Sequence, residues 1–191
     1  MPHNLVGARR HSSPGADMEA AMPEPVVPRE PKLEAFLRYW NRQRAGAVWP
    51  SRAEIDPVEI PSLLPNLLIT EAGTRPGTLR VRLAGTAVVD WMGRDVSGSE
   101  LDGSRPGEIL LCRLHRGARK AGAPFYTGGP WDSVRRVLWN ARSLACPLGG
   151  EDASIDQVIS CITVQGFAGG VGKSGGADSF AVPISADDMP D

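Results

Sequence analysis

His115 is the one histidine in the central part of the chain, because His3 and His11 lie within the first eleven residues. A single histidine does not make a multi-histidine metal centre. A mixed cysteine and histidine site would need Cys112, three residues earlier, together with distant partners. The ordinary role of such a histidine is a boundary position half covered by its neighbours. The sequence therefore predicts no metal site.

A glycine-rich segment near the C-terminus approaches a phosphate-binding loop. Residues 166–174 read G-F-A-G-G-V-G-K-S, whereas the loop requires the spacing G-x-x-x-x-G-K-S. Phe167 occupies the position of the first glycine. No helix-forming sequence follows Ser174 to present its N-terminus to a phosphate. We interpret the segment as part of a flexible tail.

The sequence also lacks the residue patterns typical of nucleophilic catalysis. The sequence contains no G-x-S-x-G elbow, and a Ser–His–Asp set would have to depend on His115 alone. The acidic residues are scattered through turns and do not form pairs suited to acid–base work. We therefore expect that the protein is not an enzyme.

Composition places the chain among ordinary globular proteins. It has 191 residues, 41% of them hydrophobic, and a formal net charge of −1. A charge this close to zero argues against a nucleic-acid partner. Three cysteines without C-x-x-C spacing suit a reducing compartment, and neither a secretory signal nor an apolar run long enough for a membrane span is evident. We expect a cytoplasmic protein without a membrane span, although Met18 or Met22 could be its true start instead of Met1.

The chain divides into one domain and two tails. Residues 1–30 carry few apolar groups and predict a disordered tail. Residues 31–165 have the size of a single domain. Residues 166–191 are rich in glycine and predict a second flexible tail, in which residues 180–184 could dock as a short extended segment.

Hydrophobic spacing predicts helices at residues 31–46, 86–92 and 105–121, and strands at residues 66–72, 78–84, 123–128, 136–148 and 157–165. Residues 95–103 are predicted as a loop or single turn. Strands that are joined by hairpins at both ends, with helices between them, imply an antiparallel sheet. The predicted class is α+β, with helices on one face of the sheet.

The hydrophobic spacing also predicts which residues share one face in the second strand and in the long helix. Alternation in the second strand places Leu79, Val81 and Leu83 on one face. The buried stripe predicted for the long helix is Leu110, Leu114, Ala118 and Ala121.

A set of short motifs then resembles the PAS fold, and in particular a family of small single-domain bacterial PAS proteins. The pattern is Y-W-x-x-x-R-x-G, P-x-R-x-x-I-D-P, L-L-P-x-L, R-x-x-G-T and G-R-D-x-x-G. The residues that match are Tyr39-Trp40, Arg44, Gly46, Pro50, Arg52, Ile55-Asp56-Pro57, Leu63-Leu64-Pro65-Asn66-Leu67, Arg82, Gly85-Thr86, Gly93-Arg94-Asp95 and Gly98. The match is good over residues 33–103, and beyond them it depends mainly on the order of elements.

The resemblance implies a five-stranded antiparallel sheet used for sensing or protein interaction, not for catalysis. The motif residues are interpreted as architectural: Asp56-Pro57 and Leu64-Pro65 fix turns. Gly85 or Gly93 permits helix entry or exit. Structural ion pairs are expected among Arg52, Arg82, Arg94, Asp56 and Asp95.

PAS relatives bind two cofactors, haem and flavin, through residue types that this chain also carries on its long helix. Some PAS domains bind haem through a histidine on the long central helix, where His115 lies. Cys112 resembles the flavin-reactive cysteine of light-sensing relatives, but its neighbours lack the flanking polar residues of that motif. A buried thiol is the ordinary role of such a cysteine. We expect no cofactor, with a site for haem, flavin or a small organic acid as the alternative.

Bulky residues near the expected cavity give the candidates for a ligand pocket: Leu83, Trp91, Met92, Leu114, His115 and Trp139. The apolar face of the N-terminal helix gives the candidates for a dimer or partner interface: Leu33, Phe36, Leu37, Tyr39 and Trp40. That face must be buried either on the chain's own sheet or on a second subunit. Both possibilities are open at this point.

Taken together, the sequence predicts a non-catalytic sensory or adaptor module. We expect a homodimer formed through the N-terminal helix and the sheet. It should contact a partner signalling protein and have room for a small-molecule ligand. The alternatives are a haem- or small-ligand-binding sensor, an interaction protein with a filled core, and an enzyme of an undescribed α+β type.

Overall fold

The computed structural model of the protein describes residues 28–105, 107–132, 138–150, 154–166 and 180–184. Residues 1–27 of the predicted tail at residues 1–30 lie outside the described residues, and so does the phosphate-loop-like segment after Gly166. So do the side chains of Trp131 and Trp139, although both residues belong to strands.

The helices are α1 (Pro31–Gln43), α2 (Thr86–Met92) and α3 (Glu108–Ala121), with 3-10 turns at Arg52–Glu54, Pro57–Glu59 and Leu64–Asn66. Pro31 occupies the first turn of α1, where no backbone N–H is needed. Gly93 and Gly122 end α2 and α3 in the left-handed conformation. Within the described ranges, none of these helices has the length and apolar character needed to cross a bilayer.

The strands are β1 (Leu67–Ala72), β2 (Leu79–Ala84), β3 (Glu100–Leu101), β4 (Phe125–Asp132), β5 (Leu138–Gly149), β6 (Ile155–Gly166) and β7 (Phe180–Pro183). They form one antiparallel sheet in the order β3-β2-β1-β6-β5-β4-β7. The predicted α+β class with an antiparallel sheet is confirmed.

The sheet has seven strands where five were predicted. β3 falls in the predicted loop at residues 95–103, because two residues are too few to show an alternating pattern. β7 pairs with β4 from Phe125↔Pro183 to Gly128↔Phe180. The extended segment predicted to dock at residues 180–184 therefore does so, and the folded unit extends past residue 165.

Both faces of the sheet are covered. α2 and α3 lie on one face, where they pack on residues such as Ala141, Ala145 and Val158. α1 lies on the other face against Leu144 and Leu148. Alternate residues of β5 therefore serve two separate cores. The predicted helices on one face are α2 and α3, and the N-terminal helix covers the opposite one.

The structure corrects the expectation that the apolar face of α1 meets a partner. All five interface candidates are buried within the chain itself: Leu33, Phe36, Leu37, Tyr39 and Trp40. The Trp40 indole N–H donates to the carbonyl of Pro147 at 2.8 Å, which ties the helix to β5. Burying an aromatic stripe on the sheet beside it satisfies the hydrophobic requirement without a second subunit.

Two stripe predictions need correction. The pairing of β1 with β2 shifts between Ile69 and Thr70, which oppose Leu83 and Val81. One additional residue in β2 at this bulge turns Leu83 to the α1 face, opposite Val81, and leaves it 40% exposed. The stripe on α3 is buried as predicted except at Ala121, which is exposed at the end of the helix.

Gly85 explains why two of the sequence motifs occur together. Its backbone N–H donates to the Leu67 carbonyl at 2.8 Å. A Cβ at this position would lie 2.2 Å from the Leu64 carbonyl oxygen and 2.4 Å from that of Pro65. The L-L-P-x-L and G-T segments thus pack backbone to backbone, and only glycine fits.

The motif arginines bond differently from the prediction. Arg82 pairs with Glu71 at 3.7 Å, and Arg94 pairs with the buried carboxylate of Glu108 at 2.9 Å. Arg52 donates to the carbonyl of Ile55 at 3.1 Å. None of these contacts involves the two motif aspartates.

Asp56 and Asp95 serve as turn-forming acceptors instead. Each carboxylate accepts the backbone N–H two residues later, from Val58 at 2.9 Å and from Ser97 at 2.8 Å. Short polar side chains favour this bond wherever a turn begins. The predicted ion pairs with these aspartates are therefore wrong.

Candidate functional site

Four hydroxyl side chains lie on the face of the sheet beneath α3, one on each of four strands. They are Thr70 of β1, Thr127 of β4, Ser143 of β5 and Ser160 of β6. Each is at most 1% exposed. Thr127 opposes Ser143, while Ser160 opposes Ala145, two residues along from Ser143 on the same face. We refer to these four residues as the hydroxyl patch.

β5 presents only small side chains to α3 in this region. Ala141, Ser143 and Ala145 occupy three successive positions on that face, whereas Leu144 and Cys146 point to α1. Core-facing strand positions usually carry large apolar residues. The face of the sheet beneath α3 therefore carries small side chains, several of them polar.

Two hydroxyls of the patch have no hydrogen-bond partner among the described residues. These are Oγ of Ser143 and Oγ of Ser160, and on the same side of the sheet the indole N–H of Trp91 in α2 is also without one. Buried polar groups are nearly always hydrogen-bonded. Leaving one unsatisfied costs about 1–3 kcal/mol. Such groups can accept and donate hydrogen bonds to a small polar guest.

His115 connects α3 to this patch. Its ring is 4% exposed, and its Nδ1 lies 2.9 Å from the hydroxyl oxygen of Thr70. The pKa of His115 is lowered to about 4 by burial first, and then by the positive charges of Arg119 and Arg116. At neutral pH the ring is uncharged and acts as a hydrogen-bonding group.

An open groove of about 670 Å³ lies between the β1–β2 hairpin and α3. Cys112 and His115 form part of its inner wall, and Arg116, Arg119 and Lys120 of α3 also line it. Burial raises the pKa of the Cys112 thiol, so this sulfur is protonated and weakly nucleophilic at neutral pH. The groove suits binding more than covalent chemistry.

Among the residues predicted to line a ligand pocket, the structure brings four to the α3 side of the sheet: Trp91, Met92, Leu114 and His115. Of these, His115 also reaches the groove. Leu83 lies on the other face, and the side chain of Trp139 is outside the described residues. Within the described ranges, no three histidine, cysteine or acidic residues come close enough to hold a metal ion.

The hydroxyl patch was missed from the sequence. Its signal was available in the strands themselves, since A-R-S-L-A and V-I-S-C-I each place a serine two residues from an apolar residue on either side, on the same core-facing side of the strand. A buried serine in a strand does not by itself distinguish a binding group from a hydroxyl that bonds to a neighbouring carbonyl. The pairing of the two strands was needed to bring Ser143 and Ser160 together.

Several solved structures are similar to this chain at low identity. A Light-Oxygen-Voltage domain matches with 10% identity and a TM-score of 0.43, over 56% of this chain and 82% of that one. The Rhodobacter sphaeroides LOV protein matches with 15% identity and a TM-score of 0.40, over 63% and 71%. VqmA of Vibrio cholerae, in a complex with ligand and DNA, matches with 14% identity and a TM-score of 0.43, over 56% of this chain and only 50% of its own length.

Among curated proteins, none matches this sequence. Residues 29–103 match the family model described as PAS domain. This span contains the motif residues of the sequence analysis. It runs from the start of α1 to the turn after β3. The chain is thus PAS domain-like over residues 29–103, and the resemblance inferred from its motifs is confirmed.

Proposed function

We propose that this chain is a non-catalytic sensory or adaptor module that binds a small molecule between the sheet and α3. Its occupancy would be passed on through contacts with another protein. The PAS domain-like sequence supports a role in signal sensing. The observation that carries the ligand proposal is the pair of unsatisfied hydroxyls, Ser143 and Ser160.

The energetic argument begins with the protein alone. Each buried hydroxyl without a partner destabilises the fold by about 1–3 kcal/mol. A guest with matching polar groups would recover that free energy on binding. A site built in this way also discriminates strongly against analogues that lack the hydrogen-bonding group. The hydroxyl patch therefore favours a specific polar ligand over a general apolar one.

Signalling would follow from the position of α3. The helix packs on the sheet through Leu110, Leu114 and Ala118, and His115 fastens it to Thr70. A ligand placed under α3 would change the equilibrium between two packings of helix and sheet, provided that it binds one of them better. The partner protein would recognise that difference.

We also propose that the module works as a homodimer in the cytoplasm. Three cysteines that are all free and buried support a reducing compartment. The buried face of α1 is already occupied by the chain's own sheet. A dimer or partner contact would therefore use other surfaces of the domain.

Native mass spectrometry of the freshly purified full chain tests the ligand proposal. We expect the wild-type protein to carry the mass of a small molecule in addition to the polypeptide. The variant Ser143→Ala/Ser160→Ala should lose it, while the exposed Ser62→Ala control should keep it. A wild-type protein that shows the polypeptide mass alone, or a ligand that both variants retain, would contradict the proposal.

A further inference from the structure

The groove between the β1–β2 hairpin and α3 has strongly basic walls. Arg116, Arg119 and Lys120 all line it, and none of them forms an ion pair with another described residue. Arg75 on the hairpin side is different, because its guanidinium pairs with Glu100 at 3.4 Å. Three positive charges on one wall thus have no ion-pair partner among the described residues.

The groove has no acidic lining residue in the part of the chain that the structure describes. Its lining comprises Ala72, Gly73, Thr74, Arg75, Pro76, Gly77, Thr78, Leu79, Cys112, His115, Arg116, Arg119 and Lys120. The carboxylates that act on lining residues lie outside the lining itself: Glu100 accepts hydrogen bonds from Thr74, Arg75 and Thr78 on the hairpin side, and the charges of Glu108 and Asp102 act on Cys112. A concave surface lined by one sign of charge concentrates the field and attracts the opposite charge.

His115 connects this groove to the hydroxyl patch. Nδ1 of the ring faces Thr70, a member of the patch, while Nε2 has no hydrogen-bond partner among the described residues. A neutral imidazole offers one donor and one acceptor. The ring therefore leaves one hydrogen-bonding nitrogen for a molecule in the groove.

We propose that the groove binds a small organic or inorganic anion, with a carboxylate or phosphate group against Arg116, Arg119 and Lys120. The rest of the molecule would lie toward Leu79 and His115. The site is a binding site in its own right, and its role as the sensory input rests on the proposed function. Its volume of about 670 Å³ is in the range of small-molecule sites and favours a metabolite-sized guest over a large polyanion.

The test compares two probes of the same shape and different charge. Benzoate carries a carboxylate, and benzamide replaces it with a neutral amide; inorganic phosphate provides the second anion. NMR of the histidine rings in the full chain follows binding, with His115→Gln used to assign the signal of His115. We expect a saturable shift of that signal with benzoate or phosphate, and none with benzamide at equal concentration.

The pKa of His115 gives a second readout. Arg116 and Arg119 both lower it, so an anion that neutralises their charge should raise it. The other charged or titratable groups of the groove are Arg75, Lys120 and Cys112. Burial raises the pKa of the Cys112 thiol, so that this group stays protonated near neutral pH.

Variants locate the anion on the wall. Arg119→Gln/Lys120→Gln should weaken binding about tenfold or more, equivalent to about 1.4 kcal/mol. Arg119→Lys should retain most of it. Arg116 and Lys120 also line the neighbouring groove beside Ile109 and Phe125. Arg113→Gln is the matched control, because Arg113 lies on the same helix and lines that groove but not this one. That control should bind the anion like the wild type.

Three results would overturn the inference: equal binding of benzamide and benzoate, an equal loss in Arg113→Gln, or no saturable response to either anion. The proposed function fails separately, through the mass measurement on Ser143→Ala/Ser160→Ala. If the protein retains a core ligand but does not respond to either anion, the proposed sensory function stands and the anion-binding site is contradicted. If the protein responds to the anions but retains no core ligand, the anion-binding site stands and the proposed core ligand is contradicted.

Discussion

The hydroxyl of Thr70 lies 2.9 Å from Nδ1 of His115 in the interior of the domain. This contact joins α3 to β1, an interior strand of the sheet, at the point where the groove meets the hydroxyl patch. Neither residue has a charge at neutral pH, because burial and two neighbouring arginines hold the pKa of the imidazole near 4. Protonating that ring would place a charge beside two arginines, with no carboxylate among the described residues acting on it.

The first prediction concerns pH. The pKa of His115 is about 4 in the folded state and 6.5 in the unfolded chain, so the unfolded chain takes up the proton first as the pH falls. The contribution of the neutral His115 ring to the free energy of unfolding is therefore present above pH 6.5 and is lost as the pH falls from 6.5 to 4. The free energy of unfolding should be about 2 kcal/mol lower at pH 5 than at pH 7.

Urea denaturation at the two pH values measures this difference. His115→Gln keeps a polar side chain that does not titrate, and it should remove most of the pH dependence. An equal pH dependence in His115→Gln and in the wild type would show that other groups cause it.

The second prediction separates unsatisfied hydroxyls from a satisfied one. Ser143→Ala and Ser160→Ala should change the free energy of unfolding by less than about 0.5 kcal/mol, or increase it, because no protein hydrogen bond is lost. Thr70→Val removes the partner of His115 and should cost about 1–3 kcal/mol. Chemical denaturation of protein refolded to remove any ligand measures all three. Serine variants that cost more than Thr70→Val would mean that these hydroxyls already have partners.

The third prediction concerns Gly85. A methyl group there would meet two backbone oxygens of Leu64 and Pro65, which cannot move as a flexible side chain would. Gly85→Ala should therefore destabilise the domain by about 3 kcal/mol or more. Gly149→Ala is the matched control, since its nearest contacts at 3.6 Å are ordinary ones, and it should stay within about 1 kcal/mol of the wild type. Thermal melts that rank the two variants equally would contradict the packing of these motifs.

The fourth prediction concerns α1. Phe36 is completely buried on the chain's own sheet, so Phe36→Ala should lower the free energy of unfolding by about 3–5 kcal/mol. The loss should be the same at high and low protein concentration, because the contact is intramolecular. A loss that shrinks on dilution would show that a second subunit covers this face after all.

Much of the fold was predictable because its elements are strongly periodic. α2 was predicted with its observed bounds, and the two hairpins were predicted within a few residues. The bulge that turns Leu83 to the other face was not predicted, because one additional residue in a strand does not change the composition of that strand noticeably. β3 was too short to leave a pattern.

The site was less predictable than the fold. His115 was singled out from its type alone, and the structure places it between groove and sheet. The serines of the hydroxyl patch were not singled out from the sequence. Their proximity depends on the register of β5 against β6, which brings Ser143 and Ser160 close together on one face. The basic wall was missed for a similar reason. Arg116, Arg119 and Lys120 lie on the exposed face of α3 and resemble ordinary solvated residues until the hairpin is seen to form the other side of the groove.

The most direct test of the account is a high-resolution crystal structure of the protein as purified, without additives that resemble metabolites. We predict electron density for a non-protein molecule beneath α3, within hydrogen-bond distance of the hydroxyls of both Ser143 and Ser160. Hydroxyls that bond to main-chain carbonyls of the protein, with no other density beside them, would contradict it.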